Sequence, residues 1–275
     1  MRSALYVPGN RPELFEKALT GPADVILLDL EDAVPLCDKD FARAEVAAWL
    51  RTLMDVRRRI WVRVNTGDVG EADLRAVAQP AVAAICLAKT ESAQQIRDVD
   101  VALGELEVRP GSIAICALLE TAAAILAAPE IASAPRVARL QIGEADLRAQ
   151  LGITPGADDR ELLALRTQVV LASAAADIAP PLAPVSTDFR NLDAFRESTR
   201  ALWRLGFRGR ACIHPAQLPI ANEVFTPSPD AVERARALIR RFENASGGVV
   251  LDDAGRMVDQ AVIRQARRVL DDDAG

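Results

Sequence analysis

The sequence VILLDLED (residues 25–32) places four consecutive apolar residues directly before three acidic residues in four positions. An apolar run without a polar face is typical of a parallel strand that is buried on both sides. Charged residues at the carboxyl ends of parallel strands are characteristic of the catalytic face of a (β/α)8 barrel. Similar runs with charged residues near their ends are IWVRVN (60–65), AICLAK (84–89), IAICALLE (113–120) and RLQIGEAD (139–146). The sequence therefore predicts an α/β fold, a (β/α)8 TIM barrel.

Segments with helical periodicity alternate with these apolar runs. Asp38 is a candidate N-cap for the helix that follows it, and Gly206 is a candidate left-handed residue at a helix end. We predict helices over residues 38–54, 91–103, 158–178 and 191–205. We predict strands at residues 3–7, 24–30, 60–64, 83–88, 112–117, 138–143, 182–187 and 210–213. This alternation favours a parallel sheet with crossover helices.

The character of the chain changes after the eighth predicted strand, where prolines interrupt long helices. We expect residues 1–215 to form the catalytic barrel and residues 216–275 to form a helical C-terminal extension with a flap. Such a flap, with Gly247, Gly248 and Gly255 forming its hinge and hairpin, is of the kind that covers an active site. The extension is predicted to contain an Arg-rich helix over 230–244, a hairpin over 244–257 and a last helix over 258–270.

The composition excludes several classes of protein. A net charge of −6 argues against non-specific nucleic-acid binding. No apolar stretch approaches the roughly 20 residues of a membrane span, and the segment MRSALYVPGN lacks the apolar core of a signal peptide. We therefore expect a cytoplasmic protein with no nucleic-acid or membrane partner. The cysteines lack the spacing of a zinc site, and the three in predicted strands are expected to pack as small apolar residues: Cys86, Cys116 and Cys212.

Two carboxylates end neighbouring predicted strands, Glu120 after the fifth and Asp146 after the sixth. Strand ends of a barrel converge on one centre, and Mg²⁺ is commonly bound through one or two carboxylates with water and substrate oxygens completing its shell. We predict that this pair binds Mg²⁺. The alternative is structural: Glu120 caps the following helix and Asp146 pairs with Arg148.

Arg63 interrupts the β-branched run of the third predicted strand. A buried arginine needs a partner, and at the barrel mouth it can stabilise negative charge that develops on oxygen. We assign it to catalysis and substrate binding; the alternative is an edge position in solvent.

The three acids after the second predicted strand repel one another unless cations, water or a metal share them. We assign Asp29 to the substrate-binding set and Glu31 to the catalytic set. Water molecules bound to a metal are one possible group for these acids to hold. The alternative is a solvated loop in which Asp32 caps a helix.

Two strand-to-helix turns are candidate anion sites. The loop after the first predicted strand offers its amides and Arg11 to phosphate or pantetheine groups, although Pro12 in a first helical turn and Asn10 as a cap also explain its sequence. We assign Pro8, Gly9, Asn10 and Arg11 to cofactor binding. After the sixth strand, amides of Gly143, Glu144 and Ala145 are expected to hold a substrate carboxylate.

Two further residues carry reactive groups. Lys89 is a candidate Schiff-base lysine, which the two metal-type carboxylates disfavour. His214, the single histidine, is a candidate general base, but helix capping or packing accounts for it better.

Eight stretches follow one another from residue 5 to about residue 268: LYVPGNRPE, VILLDLEDAV, VRVN, AKTES, LLET, IGEADLRAQLG, CIHPAQ and GRMVDQAVIRQAR. In these stretches and their order the chain resembles the citrate lyase β-chain and malyl-CoA lyase group of the metal-dependent aldolase superfamily, which has a phosphoenolpyruvate/pyruvate-type barrel. Two positions depart from the family pattern: Ala88 stands where proline is common, and His214 where some relatives have asparagine.

The resemblance implies roles for individual residues. Glu120 and Asp146 match the Mg²⁺ ligands, and Arg63 matches the arginine that contacts the reacting oxygen. Asp259 of GRMVD matches an acid/base that an adjacent subunit supplies, which implies a homo-oligomer, either a trimer or a hexamer. The VPGNRP loop matches part of the coenzyme A surface.

The implied reaction is retro-Claisen cleavage of a 3-hydroxyacyl thioester such as malyl-, citramalyl- or citryl-CoA. Its small-molecule partners are an acyl-CoA and a 2-oxo acid, namely oxaloacetate, glyoxylate or pyruvate. Three alternatives stay open: a malyl-CoA-type thioesterase, a carrier-dependent citrate lyase β subunit, and a non-catalytic sensor of CoA or keto acid. A sensor has no need of an acid/base such as Asp259.

Overall fold

The computed structural model describes residues 1–53, 59–244, 250–251 and 255–274. Eight strands pair in parallel in the order β7-β6-β5-β4-β3-β2-β1-β8. A parallel bridge between Ala183 and Arg210 joins the two ends of this sheet and closes the barrel. The predicted (β/α)8 fold is thereby confirmed. The strands are β1 (Ser3–Pro8), β2 (Val25–Asp29), β3 (Ile60–Val64), β4 (Ala84–Leu87), β5 (Ala114–Leu119), β6 (Val137–Ile142), β7 (Ala179–Leu182) and β8 (Arg210–Cys212).

Helices separate the strands along the chain. Asp38 stands at the N-cap position of α2, as predicted, but its side chain accepts a hydrogen bond from Asn10 and none from the helix. Gly206 ends α9 in the left-handed region with φ of +113°, as predicted. The helices of this part are α1 (Phe15–Leu19), α2 (Lys39–Thr52), α3 (Gly67–Val77), α4 (Ala93–Leu106), α5 (Ala122–Leu126), α6 (Ala128–Ala132), α7 (Glu144–Leu151), α8 (Leu163–Ala175), α9 (Leu192–Leu205) and α10 (Leu218–Phe225).

The seventh strand lies earlier than predicted. The predicted strand spans residues 182–187, and Pro180 and Pro181 before it cannot donate to a sheet ladder. The strand nevertheless includes both prolines, and its register with β6 is irregular, with Arg139 paired to Ala179 and Gln141 to Leu182. A strand with so few regular pairs tolerates the two missing donors.

The helix predicted over residues 158–178 is shorter than expected. Asp159 and Asp177 both have left-handed backbones, with φ of +53° and +55°. A short 3-10 helix begins directly after Asp159, and α8 ends before Asp177. An α-helix cannot pass through residues in this conformation.

The barrel core is aliphatic, and the buried strand cysteines contribute to it. Cys86, Cys116 and Cys212 are at most 1% exposed and unpaired, as predicted. Cys86 and Cys116 pack with Leu27 and Leu118 in one cluster. Among the described residues, no helix combines the length and the apolar character needed to cross a bilayer.

Contacts divide the chain into one unit of residues 2–222 and a second of Met1 with residues 223–275. The second unit has a hairpin, as predicted, in which Leu251 pairs with Met257. Phe242, Val258 and Ile263 form its apolar cluster. Two of the predicted hinge-and-hairpin glycines, Gly247 and Gly248, lie outside the described residues, whereas Gly255 has a left-handed φ of +72°. Its elements are α11 (Pro229–Asn244), β9 (Val250–Leu251), β10 (Met257–Val258) and α12 (Gln260–Ala274).

Replacement of Gly206 by alanine should destabilise the protein. A left-handed residue other than glycine costs about 1–2 kcal/mol, and a Cβ here would lie 2.9 Å from Cγ1 of Val170. Gly152→Ala is the matched control, because Gly152 also ends a helix with positive φ, but a Cβ added there would have no heavy atom within 4 Å. Urea unfolding should show a larger loss for Gly206→Ala than for Gly152→Ala; equal losses would mean that Val170 moves aside freely.

Candidate active site

An ion pair between the ends of two adjacent strands forms the base of the site. Asp29 is the last residue of β2 and lies in register with Arg63 of β3. Nε and Nη2 of Arg63 donate to the two carboxylate oxygens of Asp29 at 2.7 and 2.6 Å. Burial opposes the charge of Arg63, yet its hydrogen bonds to Asp29 raise its pKa. With Arg63 9% exposed, the alternative of an edge position in solvent is wrong.

Asp29 has further partners in its own chain. Its oxygens accept the amides of Glu31 at 2.9 Å and Ala33 at 3.1 Å. Because both oxygens already serve Arg63 and these amides, the contacts favour a role in orienting Arg63. The assignment of Asp29 to substrate binding stays a prediction.

Two cations share the remaining acids, as the crowding of charges suggested. Nη1 of Arg63 lies 3.2 Å from Glu31, and Nζ of Lys89 contacts the other oxygen of Glu31. Asp32 lies 3.5 Å from Nζ of Lys89. The first α-helix after Asp32 begins at Lys39, so the alternative in which Asp32 caps a helix is wrong. The hydrogen bond to Glu31 raises the pKa of Lys89, which disfavours the neutral amine that a Schiff base needs.

Glu120 follows β5 and is only 2% exposed. Its Oε1 accepts the backbone amide of Lys89 at 2.7 Å. Lys89 has a left-handed φ of +47°, a strained conformation of the kind found at functional sites. The alternative that Glu120 caps α5 is wrong, because Thr121 occupies that position and accepts the amide of Ala124.

The charge of Glu120 is poorly compensated. Burial raises its pKa to about 7, and the nearby charges of Glu31 and Asp146 act in the same direction. Asp146 is exposed in the first turn of α7. Among the described residues, no three side chains cluster as a complete metal site. Two carboxylates fit Mg²⁺, which keeps water or substrate oxygens in its shell.

Gly143 allows the close approach of β6 to Glu120. A Cβ at this position would lie 2.6 Å from the Cβ of Glu120 and 2.8 Å from its Oε2. The amide of Gly143 donates to Leu119 at 2.8 Å. It is therefore not free to hold a carboxylate, contrary to the prediction for this residue. Of the three predicted amides, those of Glu144 and Ala145 are left for that role at the start of α7.

The carboxylate of Glu144 is occupied by Arg166 of α8. Nε and Nη2 of Arg166 donate to its two oxygens at 2.6 and 2.8 Å. Only the backbone of Glu144 can therefore meet a substrate carboxylate.

The loop after β1 is partly explained by structure. Pro8 and Gly9 make backbone bonds, the amide of Gly9 donating to Asp29 at 2.8 Å and the carbonyl of Pro8 accepting from Arg11 at 3.1 Å. Pro12 opens a short 3-10 helix, as expected, but Arg11 occupies its N-cap, so Asn10 as a cap is wrong. Arg11 is exposed and pairs with Glu13. Its assignment to cofactor binding stays a prediction.

Sequence reasoning missed the polar pair inside the barrel. Nε2 of Gln141 donates to the hydroxyl of Tyr6 at 2.9 Å, and the guanidinium carbon of Arg63 lies 4.9 Å from the centre of the Tyr6 ring. Burial raises the pKa of Tyr6 and keeps the phenol neutral. Gln141 interrupts an apolar strand as Arg63 does, so the same argument could have found it.

A second network behind the site was also missed. Asp73 of α3 is 1% exposed, accepts the amide of Asn65 at 3.0 Å and pairs with Arg43 of α2 at 2.8 Å. The Asn65 side chain donates to Leu30 at 2.8 Å. This network fixes the loop after β3, which carries no local signal of its distant partners.

Two other candidates have local roles. His214 accepts the amide of Ala216 through Nδ1 and stacks on Phe189 with 4.8 Å between ring centres, in agreement with capping and packing. In the second unit, Oδ1 of Asp259 accepts amides at the start of α12, from Ala261 at 2.9 Å and Val262 at 3.1 Å. The contacts neither require nor oppose an acid/base role for Asp259.

This fold and site define a (β/α)8 barrel protein with an acidic centre at the carboxyl ends of its strands. The model of the HpcH/HpaI aldolase/citrate lyase family matches residues 2–215, and the chain belongs to that family.

Named relatives include proteins of two activities. A (3S)-malyl-CoA thioesterase of Cereibacter sphaeroides is 36% identical over 98% of this chain and 93% of its own. A citrate lyase subunit beta of Leuconostoc mesenteroides subsp. cremoris is 31% identical over 98% of this chain and 92% of its own.

Among solved structures, the protein CitE from Mycobacterium tuberculosis in complex with magnesium, acetoacetate and coenzyme A has a TM-score of 0.81. It is 31% identical, and the match covers 100% of this chain and 98% of that one. A citrate lyase beta subunit from the same organism, complexed with oxaloacetate and magnesium, has a TM-score of 0.71 with 32% identity and covers 82% and 97% of the two chains.

Glu120→Gln should stabilise the metal-free protein at high pH. A carboxyl whose pKa is higher in the folded state loses folding free energy as pH rises from its ordinary pKa of 4.5 to about 7. The free energy of unfolding of the variant should therefore exceed that of the parent by a difference that grows over this range, to at most about 3 kcal/mol. Urea unfolding without Mg²⁺ at several pH values measures this difference.

Glu107→Gln is the control of opposite sign. Despite its burial, the hydrogen bond from Arg136 lowers the pKa of Glu107, so this variant should be less stable than the parent above the usual carboxyl pKa and should approach it in acid. If the free energies of unfolding of Glu120→Gln and the parent differ by a constant amount across this pH range, the raised pKa of Glu120 is contradicted.

Proposed function

We propose that this protein is a Mg²⁺-dependent carbon–carbon lyase that cleaves a 3-hydroxyacyl thioester, such as malyl-, citramalyl- or citryl-CoA, into a 2-oxo acid and a short acyl thioester. One observation carries the proposal: the buried, uncompensated carboxylate of Glu120 accepts the backbone amide of Lys89. The side chain of Lys89 contacts Glu31, which also pairs with Arg63. An acidic position beside a fixed guanidinium suits a bound cation and a substrate whose oxygen becomes negative. Relatives in complex with magnesium and keto acids support it.

Each residue of the site has a task in this reaction. Glu120 and Asp146 would hold Mg²⁺, which when bound polarises the keto oxygen of the 2-oxo acid. The amides of Glu144 and Ala145 would hold the acid's carboxylate. Arg63 would donate hydrogen bonds to the oxygen on which negative charge develops, and its two-point attachment to Asp29 limits the reorganisation this needs.

The proton is assigned to Asp259. In the direction of synthesis its carboxylate would take a proton from the α-carbon of the acyl thioester, and in cleavage it would return that proton. The neighbouring subunit would supply this residue, so the active form would be a homo-oligomer, a trimer or a hexamer. Glu31 would act through Arg63 and Lys89, which it holds. The loop of Pro8, Gly9, Asn10 and Arg11 would bind the CoA moiety.

A malyl-CoA-type thioesterase is the second candidate, favoured by the 36% identity to a (3S)-malyl-CoA thioesterase along nearly the whole chain. The same polarised site could deliver water to the thioester carbonyl. A carrier-dependent citrate lyase β subunit is the third, supported by relatives of that name. A sensor of CoA or keto acid would bind the same ligands without turnover.

A product assay separates these functions. With Mg²⁺ and malyl-, β-methylmalyl- or citramalyl-CoA, we expect release of keto acid without free thiol, because the carbon–carbon bond breaks and the thioester survives. Free thiol without keto acid would identify a thioesterase. Failure to turn over any of the three while binding Mg²⁺ and keto acid would favour the carrier-dependent subunit or the sensor.

If each active site contains residues of two subunits, two variants that are defective alone should regain activity when their subunits are mixed. Glu120→Ala removes Mg²⁺-dependent keto-acid binding, whereas Asp259→Asn keeps the helix-capping oxygen and loses turnover by at least about 100-fold, the smallest usual contribution of an acid/base. Co-expressed subunits should form mixed oligomers with one intact site and recover part of the activity. Unreduced turnover by Asp259→Asn alone would remove Asp259 from the mechanism.

A further inference from the structure

An arginine outside the barrel mouth is attached to the turn that carries Asp146. Arg166 lies on α8, and its side chain is 9% exposed. It binds both oxygens of Glu144, the first residue of α7, although Glu144 precedes it by 22 residues. Its Nη2 also lies 3.0 Å from Asp159, in the segment between the two helices. The arginine therefore joins the start of α7 to the end of the loop that leads into α8.

The attachment fixes the start of a short helix. α7 has eight residues, one buried side chain, and at its N-cap Gly143 no side chain that could accept its first amides. Gly143 leaves the backbone permissive at this point. The two parallel hydrogen bonds of an arginine fork to a carboxylate set orientation as well as distance. Arg166 thus supplies the orientation that the capping residue cannot.

The start of α7 carries two elements of the proposed site. Asp146 is two residues beyond Glu144, and the amides of Glu144 and Ala145 are the first of the helix. Any rotation of α7 about Gly143 moves all of them relative to Glu120. Glu120 lies so close to Gly143 that a Cβ added to this glycine would be 2.6 Å from the Cβ of Glu120. A carboxylate at a metal site needs its position set by neighbours in this way.

We infer that Arg166 is a positioning residue that acts through Glu144 to hold Asp146 and the first amides of α7 in the geometry that binds Mg²⁺ and the substrate carboxylate. The inference rests on the proposed function, since it names the residue that organises the same site. It requires no contact between Arg166 and substrate.

A matched arginine is available at the opposite end of the same strand. Arg136 directly precedes β6, its side chain is 11% exposed, and it binds two acids, Asp100 and Glu107. Arg136→Met and Arg166→Met therefore remove comparable buried ion pairs, one at the amino end of the strand and one beyond its carboxyl end. A purely structural role predicts the same result for both.

Calorimetric titration with Mg²⁺ and pyruvate gives a readout that does not depend on turnover. Arg166→Met should raise the dissociation constant of pyruvate in the presence of Mg²⁺ about tenfold or more, the usual effect of losing a residue that orients a metal ligand. Arg136→Met should leave that constant unchanged while lowering the midpoint of thermal unfolding to a similar extent. Arg166→Lys, which keeps the charge without the fork, should fall between parent and Arg166→Met and serves if the methionine variant does not fold.

A double variant tests the path through Glu144. Glu144→Ala should weaken binding as much as Arg166→Met, and the combination should be no weaker than either single change. Provided that the parent binds pyruvate with Mg²⁺, two results would overturn the inference. One is an equal dissociation constant for Arg166→Met and Arg136→Met, and the other is additive losses of affinity in the double variant. Absence of Mg²⁺-dependent pyruvate binding in the parent would instead contradict the proposed function, and the inference with it.

Discussion

The two hydrogen bonds between Arg63 and Asp29 are the interaction on which the site depends. They join neighbouring strands at the buried end of the sheet, where an unpaired charge would be strongly destabilising. Their geometry follows from strand register, since Asp29 pairs with Arg63 across β2 and β3. Because Asp29 also accepts two amides of the following turn, the pair fixes where Glu31 points, and Glu31 in turn engages Lys89.

The acids at the barrel mouth differ in how far neighbouring cations neutralise their charge. Asp29 and Glu31 have cationic partners, whereas within the described part of the chain Glu120 accepts one backbone amide and keeps a pKa raised to about 7. An acid in this state is costly to ionise in the absence of a cation and gains most from one that binds. Glu120, whose ionised carboxylate opposes folding when no cation is bound, is therefore also well prepared to bind a metal ion.

The mouth is held together by contacts between backbones and by ion pairs behind the strands. Gly143 lets β6 approach Glu120, and the left-handed Lys89 directs its amide at the same carboxylate. Outside the barrel, Arg166 secures the start of α7 and Asp73 secures the loop after β3. Arg166 and Asp73 act from α8 and α3, which carry none of the residues of the proposed reaction, so a rigid scaffold holds the loop-borne groups of the site.

Several features could be predicted from the sequence because they are local. The length and continuity of the apolar runs predict the strands. An arginine or an acid within such a run, or directly after it, is expected at the barrel mouth, and this argument identified Arg63 and Glu120. The extent of β7 was wrong because its pairing with β6 is irregular. The amide of Gly143 was assigned to a ligand because the β5–β6 ladder continues one residue past the end of β6, which no local pattern indicates. Tertiary structure alone decided which acids neutralise which cations, because Glu144 and Arg166, or Asn65 and Asp73, are brought together by packing and not by any periodicity in the chain.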